Sequence, residues 1–300
     1  MNLRLMAPSR PGALRLGALR APVIVAPMYP LSGPELVAAS CRAGLVGSFP
    51  AANARTTGEL RSWFGEVAVA LRGVLDPQWA VSLIVHRSYD RFAAELELID
   101  EYRPNLVVTE LGSPRRAVDT VRGYGGAVFA GVDSVEHALK AADAGADGLV
   151  LECRRSGGDP MRIPPRVFLD EVRSFFGGPL AVSAGLATGR GVRGVESLGA
   201  DLAYVGSSFV TCPESRVDGR YRELLARLRE DGVTATASLT GVPCSWLAES
   251  VEDRAEDSAE DCPDRVRRGS GAVEVAERIV EEYLSAALES RLAAPRGARE

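Results

Sequence analysis

Histidine is nearly absent from this chain: there are two in 300 residues, His86 and His137. A multi-histidine metal centre is thereby excluded. The five cysteines (Cys41, Cys153, Cys212, Cys244 and Cys262) are widely spaced and form no C-x-x-C pair. Neither a zinc site nor a dithiol redox motif is expected from them, and no metal is expected at all. Dispersed thiols of odd number read as reduced cysteines, which points to a cytoplasmic protein. No apolar run approaches the roughly 20 residues of a membrane span. The arginine-bearing segment Met1–Leu19 lacks the apolar stretch and cleavage site of a secretory signal. Pro8, Pro11 and Gly12 break any long amphipathic helix there, so it reads as a short arm. A net charge of −5 argues against non-specific nucleic-acid binding.

What is present is an ordinary globular composition, 46% hydrophobic and 25% charged, long enough to bury a large core. Short apolar runs alternate with helical patterns from Val23 to about Arg229. Strands are expected at Val23–Ala26, Leu45–Ser48, Trp79–Val85, Leu106–Thr109, Ala127–Val132, Gly148–Glu152, Leu180–Ser183 and Ala203–Gly206. A helix follows each, the first near Pro34–Ala43 with Ser32 placed to cap it and the last over Ser215–Glu230. These strands are apolar throughout rather than alternating, as in a parallel sheet covered on both faces. Eight such units favour a closed (β/α)8 TIM barrel over an open doubly wound sheet. In both, the site lies at the C-terminal strand ends.

Beyond Gly232 the pattern stops. A mixed-charge stretch covers Val251–Arg268, and Val273–Leu288 has apolar residues at helical spacing and is expected to pack on the barrel. The organisation is thus an arm over 1–21, a barrel over 22–232, a small C-terminal helical extension over 233–290 and a tail over 291–300.

Two strand ends carry glycines: Ser183-Ala184-Gly185-Leu186-Ala187-Thr188-Gly189-Arg190 after the seventh, and Val205-Gly206-Ser207-Ser208-Phe209 after the eighth. Glycine at a strand end is commonly only a turn. At these two strands of a barrel the pair favours a phosphate site, because backbone N–H groups can approach the anion closely. Ala26-Pro27-Met28 after the first strand could be a rigid turn with Met28 as filler, or a surface for a flat ring.

In order along the chain come Ala26-Pro27-Met28, Val81-Ser82-Leu83-Ile84-Val85-His86-Arg87-Ser88, Gly157-Gly158, Ala184-Gly185-Leu186-Ala187-Thr188-Gly189-Arg190, and Gly199-Ala200-Asp201-Leu202-Ala203-Tyr204-Val205-Gly206. This ordered set resembles the nitronate monooxygenase family of FMN-containing barrels, as does Thr240-Gly241-Val242-Pro243. The resemblance covers roughly Pro22 to Val251. It implies an oxidoreductase with FMN as cofactor and a monooxygenase-like reaction. The phosphate of FMN would lie at Gly185, Gly206 and Ser207, and its ring near Ala26, Pro27 and Met28, with Ser82, Glu152 and Gly158 also against the cofactor. Ser82 stands where relatives usually have Asn, and Glu152 where many have a flavin-contacting Gln. Ser208 replaces the Arg of a Gly-Thr-Arg-Phe pattern. Most consequential, Asp159 replaces the histidine that follows the paired glycines and serves as catalytic base.

Asp159 can accept a proton, or donate one if burial raises its pKa; it could instead simply start a loop, helped by Pro160. Arg154 and Arg155 follow the sixth strand. They are either solvated surface charge or forks for an anionic substrate. Cys153 reads as a small core residue. His86, after the third strand, is a further candidate for the pocket, whereas His137 reads as peripheral. The resulting expectation is an FMN-dependent enzyme acting on a small or medium anionic metabolite, with molecular oxygen or nicotinamide as redox partner. An FMN-dependent enoyl reductase is a related expectation. The rival from another class is a barrel without redox chemistry, either an isomerase or lyase using Asp159, or a ligand-binding protein. A homodimer is expected from family habit alone.

Overall fold

A computed structural model describes residues 14–153, 163–217, 233–236, 244–247 and 270–293. Eight parallel strands run in the spatial order β1-β8-β7-β6-β5-β4-β3-β2. They are β1 (Val23–Val25), β2 (Gly47–Pro50), β3 (Trp79–Ile84), β4 (Leu106–Glu110), β5 (Ala127–Val132), β6 (Gly148–Glu152), β7 (Leu180–Ser183) and β8 (Leu202–Val205). Two hydrogen bonds just ahead of β2 close the circle: Val25 N donates to Val46 O at 2.8 Å and Val46 N to Val23 O at 3.0 Å. The closed barrel, not the open sheet, is therefore the architecture.

The helices between strands are α1 (Pro34–Arg42), α2 (Thr57–Ala70), α3 (Phe92–Tyr102), α4 (Arg115–Gly123), α5 (Val135–Asp143), α6 (Pro165–Arg173) and α7 (Gly189–Ser197). Helix α2 buries Leu60, Trp63, Phe64 and Val67, one face at helical spacing. Its start is fixed by Thr56, whose hydroxyl accepts from Glu59 N at 3.1 Å. Ser134 and Thr188 cap α5 and α7 in the same way. Ser32 does not cap α1: Gly33 holds the cap position without a side-chain bond. Pro34 at the first helical position has no N–H to satisfy, and the Ser32 hydroxyl turns back to the end of β1.

Strand β2 lies two residues later than its sequence suggests. Phe49 and Pro50 continue the register against Val81 and Ser82, since a proline is tolerated where a strand's final residue needs no N–H donor. At the opposite end of the barrel one device occurs twice. Asp147, ahead of β6, accepts from Val128 N at 2.9 Å and pairs with Arg122 of α4. Asp201, ahead of β8, accepts from Leu180 N at 2.8 Å and pairs with Arg173 of α6.

The barrel interior is filled by Ile24, Val46, Ala80, Leu106, Val108, Phe129, Val150, Ala181 and Leu202, with Leu14, Leu16 and Leu19 of the arm packed against them. The arm thus plugs the interior. The larger apolar clusters lie between strands and helices.

Two features follow the barrel. An antiparallel ribbon of β9 (Val233–Thr236) and β10 (Cys244–Leu247) occupies a stretch in which no strand is expected from the sequence. A long helix, α8 (Ala272–Ala293), lies where helical spacing is seen. Ala272, Val275, Ala276, Ile279 and Val280 of α8 join the cluster beneath α7 and the end of β8. The helix expected over Ser215–Glu230 lies almost wholly outside the described residues. Among the described residues no helix is long and apolar enough to cross a membrane.

Candidate active site

The interior residues of the barrel fix which side chains face its C-terminal opening. Side chains two positions further along a strand share its face. Continuing from Ile24, Ala80, Val108, Phe129, Val150 and Ala181 therefore brings Ala26, Ser82, Glu110, Gly131, Glu152 and Ser183 to the interior side of the strand ends. Direct geometry agrees for the middle three. A Cβ built on Gly131 would lie 3.0 Å from Glu110 Oε2 and 3.0 Å from Glu152 Oε1. Two carboxylates thus meet over a residue without a side chain, their oxygens within about 6 Å of each other, close enough to interact.

Glu152 is a sequence-predicted site residue; Glu110 is not. The signal for Glu110 was available in the same form, an acidic residue closing an apolar strand run, Leu106-Val107-Val108-Thr109-Glu110 beside Gly148-Leu149-Val150-Leu151-Glu152. A pair of carboxyl groups at a barrel opening can take up and release a proton.

Behind Glu152, Cys153 faces outward into the core. Its thiol is pushed up to about 12, first by burial and then by the Glu152 charge. A thiol so placed is not a nucleophile.

At the end of β1, Ala26 N donates to Val205 O at 2.9 Å. The following turn is locked from two sides. The Ser32 hydroxyl accepts from Met28 N at 2.9 Å and donates to Ala26 O at 3.4 Å. The Asn53 amide donates to Met28 O at 2.9 Å and Ser32 O at 2.8 Å. Asn53 sits after β2 and was not legible as a site residue. Met28 is 1% exposed and its side chain packs in the core. Ser82 is buried.

The two glycine loops come together. Gly185 is exposed and adopts φ +68°, a conformation that suits a residue without Cβ. After β8, Gly206 leads into a 3-10 turn over Ser207–Phe209 whose serines are buried. The Ser208 hydroxyl donates to Ala187 O at 2.9 Å, tying one loop to the other. The first N–H groups of such a turn have no carbonyl of the turn itself to pair with. Small residues, a left-handed glycine and the amides that open a turn are the features of a phosphate cradle.

His86 reaches the strand-end side but is exposed, its Nδ1 2.7 Å from Ser88 Oγ in its own loop. His137 lies on α5, exposed and beside Asp133. Arg154, Arg155, Gly158 and Asp159 lie outside the described residues. Among the described residues no cluster of His, Cys, Asp and Glu could hold a metal.

The family model for nitronate monooxygenase matches residues 77–286. A nitronate monooxygenase of Pseudomonas aeruginosa is 28% identical, covering 76% of this chain and 76% of its own. A 5-hydroxy-7a-methyl-1-oxo-octahydro-1H-indene-4-carboxyl-CoA dehydrogenase of Rhodococcus jostii is 25% identical over 79% of this chain and 65% of its own. Among solved structures, nitroalkane oxidase from Streptomyces ansochromogenes superimposes with a TM-score of 0.78 at 18% identity, covering 91% of this chain and 99% of its own. That likeness attests the barrel fold.

Proposed function

The chain belongs to the nitronate monooxygenase family, a family of flavin-dependent oxidoreductases, and on that premise we propose that it is an FMN enzyme acting on a small or medium anionic metabolite. The observation that carries the cofactor is the pair of glycine loops after β7 and β8, joined by the Ser208–Ala187 hydrogen bond. Gly185, Gly206 and Ser207 would hold the phosphate, and the backbone of Ala26, Pro27 and Met28 would lie along the ring, with Ser82, Glu152 and Gly158 nearby. Ala26, Ser82 and Gly131 are the small residues on that side, with the Glu110 and Glu152 carboxylates over Gly131. When bound, the flavin supplies a two-electron acceptor, with molecular oxygen or a nicotinamide as its redox partner.

The chain's own groups would move protons and orient the substrate. By the resemblance Asp159 replaces the family's histidine base, and it is proposed as the proton-transfer group. Glu110 and Glu152 place two further carboxyls at the opening. An anionic substrate would then need the forks of Arg154 or Arg155, with His86 at the rim. The Rhodococcus relative, named for a carboxyl-CoA substrate, supports counting carrier-bound acids among the candidate substrates. It also keeps an enoyl reductase or dehydrogenase reaction as the second reading.

The deciding experiment is release of the cofactor by heat from purified protein, with FMN expected at about one per chain. If neither purification nor titration yields FMN, the redox reading gives way to a proton-transfer or ligand-binding barrel. With a substrate in hand, Asp159→Asn should lower turnover by roughly 10²–10⁴-fold while leaving FMN affinity unchanged. Full activity in that variant would make Asp159 a loop residue.

A further inference from the structure

The loops read above as the phosphate holder rest on a helix that comes about 90 residues later in the chain. Helix α7, which starts directly after the Gly185 loop, is Gly189-Arg190-Gly191-Val192-Arg193-Gly194-Val195-Glu196-Ser197. Three glycines in nine residues make a poor helix former, so its start and the loop ahead of it depend on outside support.

That support is α8. Glu282 Oε2 accepts from Gly189 N at 2.9 Å, satisfying an N–H that the helix itself leaves open. Arg190 is held by both oxygens of Glu289, each at 2.9 Å. The two backbones meet at Gly189: a Cβ there would overlap Ile279 O and Tyr283 N. Leu186 of the loop and Tyr283 of α8 pack on the same apolar cluster.

The other end of α8 reaches the second loop. Ala272 N donates to Glu214 Oε2 at 2.9 Å, and Ala272, Val275 and Ala276 share a cluster with Phe209, Val210 and Cys212. Those residues directly follow Ser207 and Ser208. One helix therefore braces both glycine loops, and its carboxylate at Glu282 already neutralises the positive end of α7. A bound phosphate is left to the loop amides around Gly185 and Ser207.

We propose that α8, acting through Glu282 and the Gly189 contact, is the positioning element for the phosphate loops and sets the preference for FMN over riboflavin. This rests on the reading of those loops as the phosphate site. Glu282 touches neither loop tip, so it is a positioning residue.

The test titrates flavin-stripped protein with FMN and with riboflavin, which lacks the phosphate. In Glu282→Ala, FMN affinity should fall about tenfold and riboflavin affinity should change less than about twofold. Glu282→Gln, which keeps an acceptor oxygen, should recover most of the loss. Amide exchange without flavin should quicken over 184–188 in Glu282→Ala and stay slow in Glu282→Gln. Gly189→Ala, whose Cβ would press on Ile279 O, Tyr283 N and Glu282 Cβ while the Glu282 carboxylate stays in the chain, should weaken FMN at least as much as Glu282→Ala. Equal losses for both flavins, or none for either, would overturn the proposal. Wild-type protein that binds no FMN would instead sink the reading of the loops, and the proposal with it.

Discussion

The two halves of the barrel opening are built on different principles. Around β7 and β8 the chain offers backbone: a left-handed glycine, a 3-10 turn and a serine bond between loops, braced from behind by α8. Around β4, β5 and β6 it offers side chains, two carboxylates meeting over Gly131. A backbone cradle recognises a phosphate whatever the rest of the ligand is. Carboxylates define which chemistry and which charge the opening accepts. Within one family the first half can stay serviceable while the second is rebuilt, because the two share no side chain and stand on different strands.

Breaking the backbone half should have the largest effect. Gly206→Val places a branched side chain where the phosphate would meet the amides. Losing two charge-assisted hydrogen bonds at about 1.5–3 kcal/mol each should abolish FMN retention in a chain whose circular dichroism is unchanged. Unaltered FMN affinity in a folded variant would remove the phosphate from this half.

Next come the carboxylates. Glu110→Gln and Glu152→Gln should each alter turnover, by up to roughly 10²-fold for a group that moves a proton. They should also displace the acid limb of the pH–rate profile, with FMN retained. If both variants keep the wild-type profile, the carboxyls are not proton-handling groups and the comparison loses its chemical half.

A smaller effect is expected from Ser208→Ala. It removes the bond to Ala187 O, and about 1 kcal/mol is the ordinary net value of such a bond. FMN affinity should drop only a few-fold; an undiminished affinity would mean that the two loops hold their positions separately.

The smallest effect sharpens the carboxylate half. The Cys153 thiol is held up to about 12 by burial and then by Glu152. The Cys41 thiol is held up to about 12 by burial. Both bind their protons more tightly folded than unfolded, where the ordinary value is 9.0. Their contribution to stability is therefore constant below pH 9 and is lost as pH rises from 9 toward 12. Denaturant melts across that window should show the decline, and Cys153→Ala should lessen it. In Glu152→Gln the second cause is gone, so thiolate absorbance at Cys153 should appear at slightly lower pH. No displacement would place Glu152 further from Cys153 than the structure has it.

Much of this architecture is written in local sequence. The apolar runs of β4 and β6, each ended by a glutamate, are readable because burial on two faces leaves a local signature. Thr56, Ser134 and Thr188 carry a local signal of the same kind, each a side-chain cap at a helix start. The glycine loops were equally plain. The cap of α1 was misread because Ser32 has closer partners in Met28 and Ala26 than in the helix it precedes. The ribbon β9–β10 has no such sign, because Thr234-Ala235-Thr236 and Cys244-Ser245-Trp246 are short and stand seven residues apart in the sequence rather than the two of a hairpin-turn motif.

By itself the sequence determined a parallel barrel, its family and the two strand ends that carry glycines, since each depends on neighbours within a few residues. Only the tertiary structure decided that Glu110 stands with Glu152, that Asn53 and Ser32 lock the end of β1, and that Glu282 supports the loop after β7. Those pairs are separated by 42, 21 and 93 residues, and nothing in the local pattern of one member specifies the other. Closure of the barrel brings strand ends together in a ring, and the packing of one helix on another chooses which carboxylate meets which amide.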